Sequence, residues 1–239
     1  MALPLVAGHG QRPRVTAMWI VKLGGSLAHD LRLVRWLAML AELGGGRVTV
    51  VPGGGIFADA VRTSQRHWHF DDLPAHNMAV LGMAQTAHLF HALEPRLTLA
   101  DDEAGIRRAL HAGHPALWLP FMLLRDAPDL LTNWEVTSDT LALWLARLLN
   151  AERLVLVKAC KVAPDITLAD LGAEGVIDSR FEPWSRDAPF PIEVVEANDV
   201  DRVRDALLGV SSLVPPAALA SRPGRQGSMH FRPRRKPAP

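Results

Sequence analysis

A lysine and two glycines stand at the end of an apolar run, in the stretch VKLGGS at 21–26. Without Cβ atoms, Gly24 and Gly25 let the backbone come close to a bound anion and point its N–H groups at it. A helix that starts after Ser26 would add the positive end of its dipole, and Lys22 would add a full positive charge. This pattern is typical of an anion-binding loop, although a simple turn could use the same residues.

The same arrangement occurs a second time, in VTVVPGGGIFADAV at 48–61. An apolar run is again followed by glycines, Gly53, Gly54 and Gly55, and then by a helical pattern. Because adjacent parallel strands bring their carboxyl ends to one edge of a sheet, two such loops would form a cleft lined with backbone donors. Neither loop fits the pattern G-x-x-x-x-G-K-[ST] or the pattern G-x-G-x-x-G, so a P-loop site and a dinucleotide site are not favoured.

A carboxylate belongs to the third element of interest, the stretch TSDTLALWLARLLNA. Thr137 or Ser138 suits a helix N-cap, which puts Asp139 in the first helical turn. By itself, Asp139 would be expected only to stabilise the positive end of that helix. Beside a lysine and two phosphate-binding loops, its carboxylate could also hold cationic side chains in position.

The elements that carry these residues alternate along the chain. Apolar, β-rich runs predict strands at 18–23, 47–52, 115–121, 153–159 and 191–197. Helical spacing and length predict helices at roughly 28–43, 56–67, 74–93, 101–112, 138–150 and 199–208. Strands that are apolar on both faces and alternate with helices indicate a mainly parallel sheet between helical layers, which is an α/β/α sandwich.

A single α/β domain over 17–212 accounts for all of these elements, since no internal repeat and no linker divides them. Residues 1–16 are expected to form a flexible segment. The proline- and glycine-punctuated stretch 160–190 is expected to be an irregular or flexible insertion. The stretch 213–239 is rich in proline and carries only positive charges, so a disordered basic tail is expected there.

Composition excludes several classes of protein. With 239 residues, of which 49% are hydrophobic, the chain can build a substantial core. Its 26 Lys and Arg against 25 Asp and Glu give a net charge of +1, so the overall charge does not attract nucleic acid or a membrane surface.

Cys160 is the single cysteine and fits a reducing cytoplasm. No apolar run reaches the ~18 residues of a membrane helix. We expect a cytoplasmic protein with no membrane partner and do not favour a nucleic-acid partner.

Taken together and in this order, the stretches VKLGGS, VPGGG and TSDTLA resemble the amino acid kinase superfamily, over roughly residues 18–208. The resemblance implies a three-layer sandwich that binds ATP and Mg²⁺ at the carboxyl edge of its sheet. It also implies direct transfer of the γ-phosphoryl group to a small-molecule acceptor, by a homodimer or a higher homo-oligomer. Such transfer relies on positioning and charge stabilisation, with little need for a protein nucleophile.

The resemblance also assigns roles to the residues. Lys22 would neutralise charge on the transferring phosphoryl group, and Asp139 would orient the lysines. Lys158 and Lys161, at a strand end, are the candidates for the second transfer cation. The nucleotide phosphates would be held by Gly24, Gly25, Ser26 and Lys161. The acceptor would be faced by Gly53, Gly54, Gly55, Asn133 and Thr137. No metal site built from protein side chains is expected.

Within the superfamily, the stretches NWEVTSDTLALWLA, LVLVKA and AEGVIDSRF resemble the branch that phosphorylates an aminomethylfuran phosphate in methanofuran biosynthesis. Two features depart from the superfamily pattern. A loop of the type T-D-x-x-G-V is replaced by KACKVAPDITLAD at 158–170, and the second lysine that some branches carry after G-[IV]-x-D is here Arg180. A kinase for a carboxylate or a nucleoside monophosphate therefore stays open, as does an inactive nucleotide-binding regulatory or assembly protein.

Aromatic and histidine residues offer further possibilities for the acceptor site. The run HWHF at 67–70 is followed by Asp71, Asp72, His76 and Asn77, and these could form part of the acceptor pocket, although a packing corner is at least as well supported. Trp134 with Glu135 would suit an aminomethyl group. The histidines have no cysteine and no H-E-x-x-H pattern beside them, so solvated or capping roles are favoured over a metal site.

Overall fold

The computed structural model describes residues 18–163, 165–211 and 213. Its strands are β1 (Trp19–Leu23), β2 (Val48–Pro52), β3 (Thr98–Ala100), β4 (Ala116–Trp118), β5 (Arg153–Lys158) and β6 (Ile192–Glu196). Its α-helices are α1 (Arg32–Leu43), α2 (Gly55–Trp68), α3 (Asp72–Leu93), α4 (Glu103–His111), α5 (Ser138–Leu149), α6 (Leu168–Ala173), α7 (Phe181–Ser185) and α8 (Val200–Leu207). Short 3₁₀ helices lie at Gly25–His29 and Pro120–Leu123.

The six strands form one sheet in the order β3-β4-β2-β1-β5-β6, and every neighbouring pair is parallel. Helices cover both faces, which confirms the three-layer α/β/α sandwich. The chain passes from β1 to β2 on one side and later returns to β5 on the other side. In open parallel sheets, ligands bind beyond the carboxyl ends of the strands at such a reversal of strand order.

Side chains of β1 alternate between two apolar cores, one on each face of the sheet. Val21 packs in the core that contains α1, whereas Ile20 packs in the core that contains α5. Because successive strand residues point to opposite faces, Lys22 shares the face of Ile20. Leu156 of β5 also packs in the α5 core, so Lys158 lies on that face as well. Both lysines therefore approach the helix that carries Asp139.

Two parts of the chain differ from the sequence prediction. Strand β3 pairs with β4 at the sheet edge and escapes prediction, because three residues carry no repeating pattern. The prediction of an irregular 160–190 is wrong in part, since α6 and α7 lie there with Leu171 and Phe181 fully buried. The stretch TLAD at 167–170 forms a capping box that starts α6, which is a signal readable in the sequence.

The predicted segments 1–16 and 213–239 lie outside the described residues, apart from Leu213. The boundaries of the single domain at 17–212 therefore stay a prediction. Among the described helices, none has both the length and the apolar character needed to span a bilayer.

Candidate active site

Three ionisable side chains meet at the carboxyl edge of the sheet. The ammonium nitrogen of Lys22 lies 2.8 Å from Oδ1 of Asp139, and that of Lys158 lies 2.6 Å from Oδ2. Only 5% of the Lys22 side chain, 5% of the Asp139 side chain and 9% of the Lys158 side chain is exposed. One carboxylate thus holds two buried cations, one on each oxygen.

Local structure explains how these residues meet. Strands β1 and β5 are neighbours, with Lys22 opposite Leu156, so Lys158 lies two residues further along on the same face. Asp139 is the second residue of α5, which packs over this face of the sheet. Two strand ends and one helix start therefore fix the three charged groups independently of any flexible loop.

The charges in this cluster do not cancel, since two ammonium groups and one carboxylate leave one positive charge. Burial alone raises the pKa of the Asp139 carboxyl, but the two lysines outweigh it and hold this pKa below its usual range. Burial and the charge of Lys22 together lower the pKa of Lys158 to about 8, against the opposing attraction of Asp139. A buried excess of positive charge favours a bound anion.

The two glycine loops lie beside this cluster and pack backbone against backbone. A Cβ atom on Gly25 would lie 2.3 Å from the backbone nitrogen of Gly55, and one on Gly53 would lie 2.3 Å from that of Gly25. Gly55 also has a φ of +53°, in the left-handed region that favours glycine. Glycine is thus required for the contact between the loops themselves, in addition to any contact with phosphate.

A cleft of about 410 Å³ opens next to the glycine loops, bordered by α2, α3 and the start of α5. The sequence-predicted residues in its lining are Gly25, Ser26, Gly54, Gly55, Asn133 and Thr137. Residues assigned to nucleotide and to acceptor thus border one space. Lys161 is exposed beyond the end of β5, and the structure does not bring it into this lining. The amide of Asn133 also holds its own turn, because its Oδ1 accepts from the backbone N–H of Glu135.

One wall of the cleft is a connected polar network. The guanidinium of Arg62 forms an ion pair of 2.8 Å with Asp59 and lies 4.5 Å from the centre of the Trp134 ring. The indole N–H of Trp134 donates to the side-chain oxygen of Gln65 over 2.5 Å. The amide nitrogen of Gln65 donates in turn to Asp72 over 2.9 Å. The wall therefore presents an aromatic ring, one cation and two carboxylates.

Some of this wall could be found from the sequence and some could not. Asp72, His76 and Trp134, which the sequence marks as possible acceptor residues, line the cleft, whereas Asp71 and Asn77 do not. The sequence analysis misses Asp59 and Arg62, although they follow Gly55 at helical spacing and so share its face. Glu135 is not part of the lining, because its carboxylate pairs with Arg180.

His76 and the HWHF run differ in their placement. His76 is buried and its Nε2 lies 3.0 Å from the carbonyl oxygen of Leu123, to which an N–H there donates. Burial lowers the pKa of His76 below its usual range. Trp68 of the HWHF run is 73% exposed and is not in the cleft lining.

The start of α5 is capped differently from the sequence prediction. Thr137 occupies the N-cap position, but neither its side chain nor that of Ser138 caps the helix. The carboxylate of Asp178 binds there instead, from the connection between β5 and β6. The prediction of Thr137 as the N-cap is therefore confirmed, but the side-chain hydrogen bonds to the first turn come from a residue distant in sequence. Arg180, an alternative for the second cation, pairs with Glu135, so Lys158 is the cation beside Asp139.

A parallel sheet whose carboxyl edge carries two glycine loops and two lysines on one carboxylate is the architecture of a phosphoryl-transfer protein. The model of the amino acid kinase family matches residues 17–161, and the chain belongs to this family. The protein is therefore a kinase, and its family implies ATP as the phosphoryl donor.

Similar proteins agree with this assignment. The chain is 24% identical over 203 residues, 80% of its length and 94% of the relative's, to the [5-(aminomethyl)furan-3-yl]methyl phosphate kinase of Methanocaldococcus jannaschii. It superimposes on uridylate kinase from Archaeoglobus fulgidus with a TM-score of 0.62, at 15% identity over 80% of this chain and 96% of that chain. UMP kinase from Bacillus anthracis gives 0.58, at 16% identity over 81% and 92%. At these identities, the two solved structures show the fold alone.

We expect the amine of Lys158 to titrate near pH 8, because burial and the Lys22 charge outweigh the attraction of Asp139. NMR of ¹⁵N-labelled lysine side chains between about pH 6 and about pH 11 should show this titration, and the signal should vanish in Lys158→Arg.

The lowered pKa of Lys158 also determines how its contribution to the free energy of unfolding changes with pH. Since the unfolded chain keeps this proton up to about pH 10.5, the contribution of Lys158 to the free energy of unfolding should rise as pH increases from about 8 to about 10.5. A Lys158 signal that titrates near 10.5 would contradict the buried, coupled site.

Proposed function

We propose that the protein is an ATP-dependent kinase that phosphorylates an aminomethylfuran phosphate, so that the product is a diphosphate. The observation that best supports this proposal is the Asp139 carboxylate, which holds Lys22 and Lys158 beside two glycine loops and a cleft. The name of the archaeal relative supports this acceptor. The single cysteine of the sequence, an exposed free thiol, supports a cytoplasmic location.

The site residues have distinct roles in this proposal. An ionised oxygen of the acceptor phosphate attacks the γ-phosphorus of ATP, the bond from that phosphorus to the β,γ-bridging oxygen breaks, and ADP leaves. The acceptor oxygen is already ionised, so no protein base is needed. The ammonium groups of Lys22 and Lys158 offset the negative charge of the transferring group, and Asp139 keeps both in place.

Backbone groups of the glycine loops hold the remaining phosphates. On the nucleotide side, Gly25, Ser26 and the exposed Lys161 bind phosphate oxygens. Gly24, whose own N–H donates to the carbonyl oxygen of Val157 over 3.2 Å, lets the backbone pass close to them. On the acceptor side, the cleft is lined by Gly54, Gly55, Asn133 and Thr137. Gly53, whose N–H donates to the carbonyl oxygen of Leu23 over 2.9 Å, lets this loop pack against Gly25. Because a glycine backbone can approach an anion closely, both phosphate groups can share this narrow space.

Mg²⁺ enters this proposal as the partner of ATP. Both oxygens of Asp139 are occupied by lysines, and the described residues contain no group of three or more His, Cys, Asp or Glu that could hold a metal. Mg²⁺ commonly keeps several waters and binds through substrate phosphates, which suits a site of this kind. When bound, it would neutralise part of the phosphate charge.

The polar wall of the cleft matches the rest of the acceptor. A flat ring can lie against Trp134, and an ammonium group can pair with the carboxylate of Asp72, since Asp59 is engaged by Arg62. The sequence analysis gives that pairing to Glu135, but Glu135 is engaged by Arg180. A volume of about 410 Å³ is within the range for small-molecule sites.

The test supplies the enzyme with ATP, Mg²⁺ and [5-(aminomethyl)furan-3-yl]methyl phosphate and follows the products by ³¹P NMR. We expect a diphosphate and ADP in equal amounts, and Lys22→Ala should lower kcat by about 100- to 1000-fold with an unchanged circular dichroism spectrum. Arg35→Ala, which removes an exposed cation of α1, is the control and should retain the wild-type rate.

Assays with two other acceptors distinguish the proposed function from its alternatives. UMP and N-acetylglutamate represent nucleoside monophosphates and carboxylates. Turnover of only one of these would overturn the acceptor proposed here. Binding of ATP without turnover of any acceptor would instead favour an inactive regulatory protein.

We further propose a homodimer, as the family resemblance implies. Helix α3 exposes Met78 and Leu81, at 40% and 42%, on one face. Analytical ultracentrifugation should give twice the mass of one chain for the wild type and one mass for the double variant Met78→Glu, Leu81→Glu. Leu130→Glu, at an exposed site outside α3, should stay dimeric. A monomeric wild type would contradict this proposal.

A further inference from the structure

The carboxylate of Asp178 is bound to the first turn of α5, although Asp178 belongs to the connection between β5 and β6. Its Oδ2 accepts from the backbone N–H of Thr137 at 3.0 Å, from the Thr137 hydroxyl at 2.9 Å and from the backbone N–H of Thr140 at 3.0 Å. Its Oδ1 accepts from the hydroxyl of Thr140. These donors bracket Asp139 on both sides in sequence.

We infer that Asp178 is a positioning residue for phosphoryl transfer, which fixes the first turn of α5 and thereby the direction in which Asp139 presents its oxygens to the two lysines. The inference rests on the proposed function of the site. Asp178 does not contact Asp139 itself, so it acts through the helix.

The segment that carries Asp178 is itself held firmly. Ile177 and Phe181, on either side of it, are buried at 2% and 0% exposure. Arg180 pairs with Glu135, and its backbone N–H donates to the carbonyl oxygen of Glu135 over 3.3 Å. The segment is thus anchored both to the core and to the turn before α5, so its carboxylate is a fixed point.

Asp178 also acts on the site through its charge. The charged groups that face Lys158 are Asp139 of α5, Lys22 of β1 and Asp178 of the connection. The negative charge of Asp178 favours the ammonium form and raises the pKa of Lys158 above the value that burial and Lys22 would give. Loss of this charge should therefore lower the pH at which Lys158 loses its proton.

A matched pair of variants tests the inference. Asp178→Asn removes the charge but keeps one acceptor oxygen, and an unchanged circular dichroism spectrum checks that the fold is preserved. Asp170→Asn makes the same change in the same connection, where Asp170 accepts from the hydroxyl of Thr167 over 2.6 Å at the start of α6. For both, kcat, KM and the dependence of kcat on pH are measured with ATP, Mg²⁺ and the furan acceptor.

We expect Asp178→Asn to lower kcat roughly 10- to 100-fold while each KM changes less than about 3-fold, because misplacement of reacting groups acts on the transition state. The alkaline fall of kcat should also move to lower pH. Asp170→Asn should match the wild type in both respects. A kcat within about 3-fold of the wild type, equal losses in the two variants, or an alkaline limb that does not move would each overturn the inference.

A further comparison distinguishes a wrong choice of acceptor from a wrong role for Asp178. Slow hydrolysis of ATP, with water as acceptor, gives the same comparison without the furan compound. A wild type inactive toward the furan acceptor overturns the proposed function alone. Equal hydrolysis by wild type and Asp178→Asn overturns the role of Asp178.

Discussion

One carboxylate shared between two buried ammonium groups is the interaction on which the rest of the structure depends. Buried charges are tolerated only when they are paired, and removal of one member of a buried pair typically costs about 3 to 5 kcal/mol. Asp139 satisfies Lys22 and Lys158 together and still leaves one positive charge. The ion pairs therefore allow these charges to be buried in the folded protein, and the remaining positive charge attracts phosphate.

The surrounding architecture follows from the need to place these groups. β1 and β5 must be neighbours with their lysines on one face, and α5 must begin above that face. Next to the cluster, Gly25, Gly53 and Gly55 allow two loops to touch along their backbones. The cleft then adds an aromatic and charged wall to one side of this centre. The charged cluster, the glycine loops and the cleft thus all lie at the carboxyl edge of the sheet.

Much of this arrangement was accessible from the sequence, because it rests on local patterns. Apolar runs place Lys22 and Lys158 at strand ends, and the helix start places Asp139 in a first turn. The remainder depends on contacts between distant segments. Asp178 lies about forty residues from the turn that it caps, and no local pattern marks such a contact. Asp59 and Arg62 read as an ordinary solvated helix face until the fold brings Trp134 beside them. The opposite holds for Lys161. It lies close to Lys158 in sequence, yet its side chain is exposed and does not line the cleft.

The most direct test of the account is a double-mutant cycle on kcat with Asp139→Asn, Lys158→Met and the combined variant. If Asp139 acts by holding the lysines, the three residues work as one unit and their effects are not additive. The account predicts that the combined variant is no slower than the slower single variant, within about 3-fold. Losses that multiply in the combined variant would show that Asp139 and Lys158 act independently, and would contradict the account.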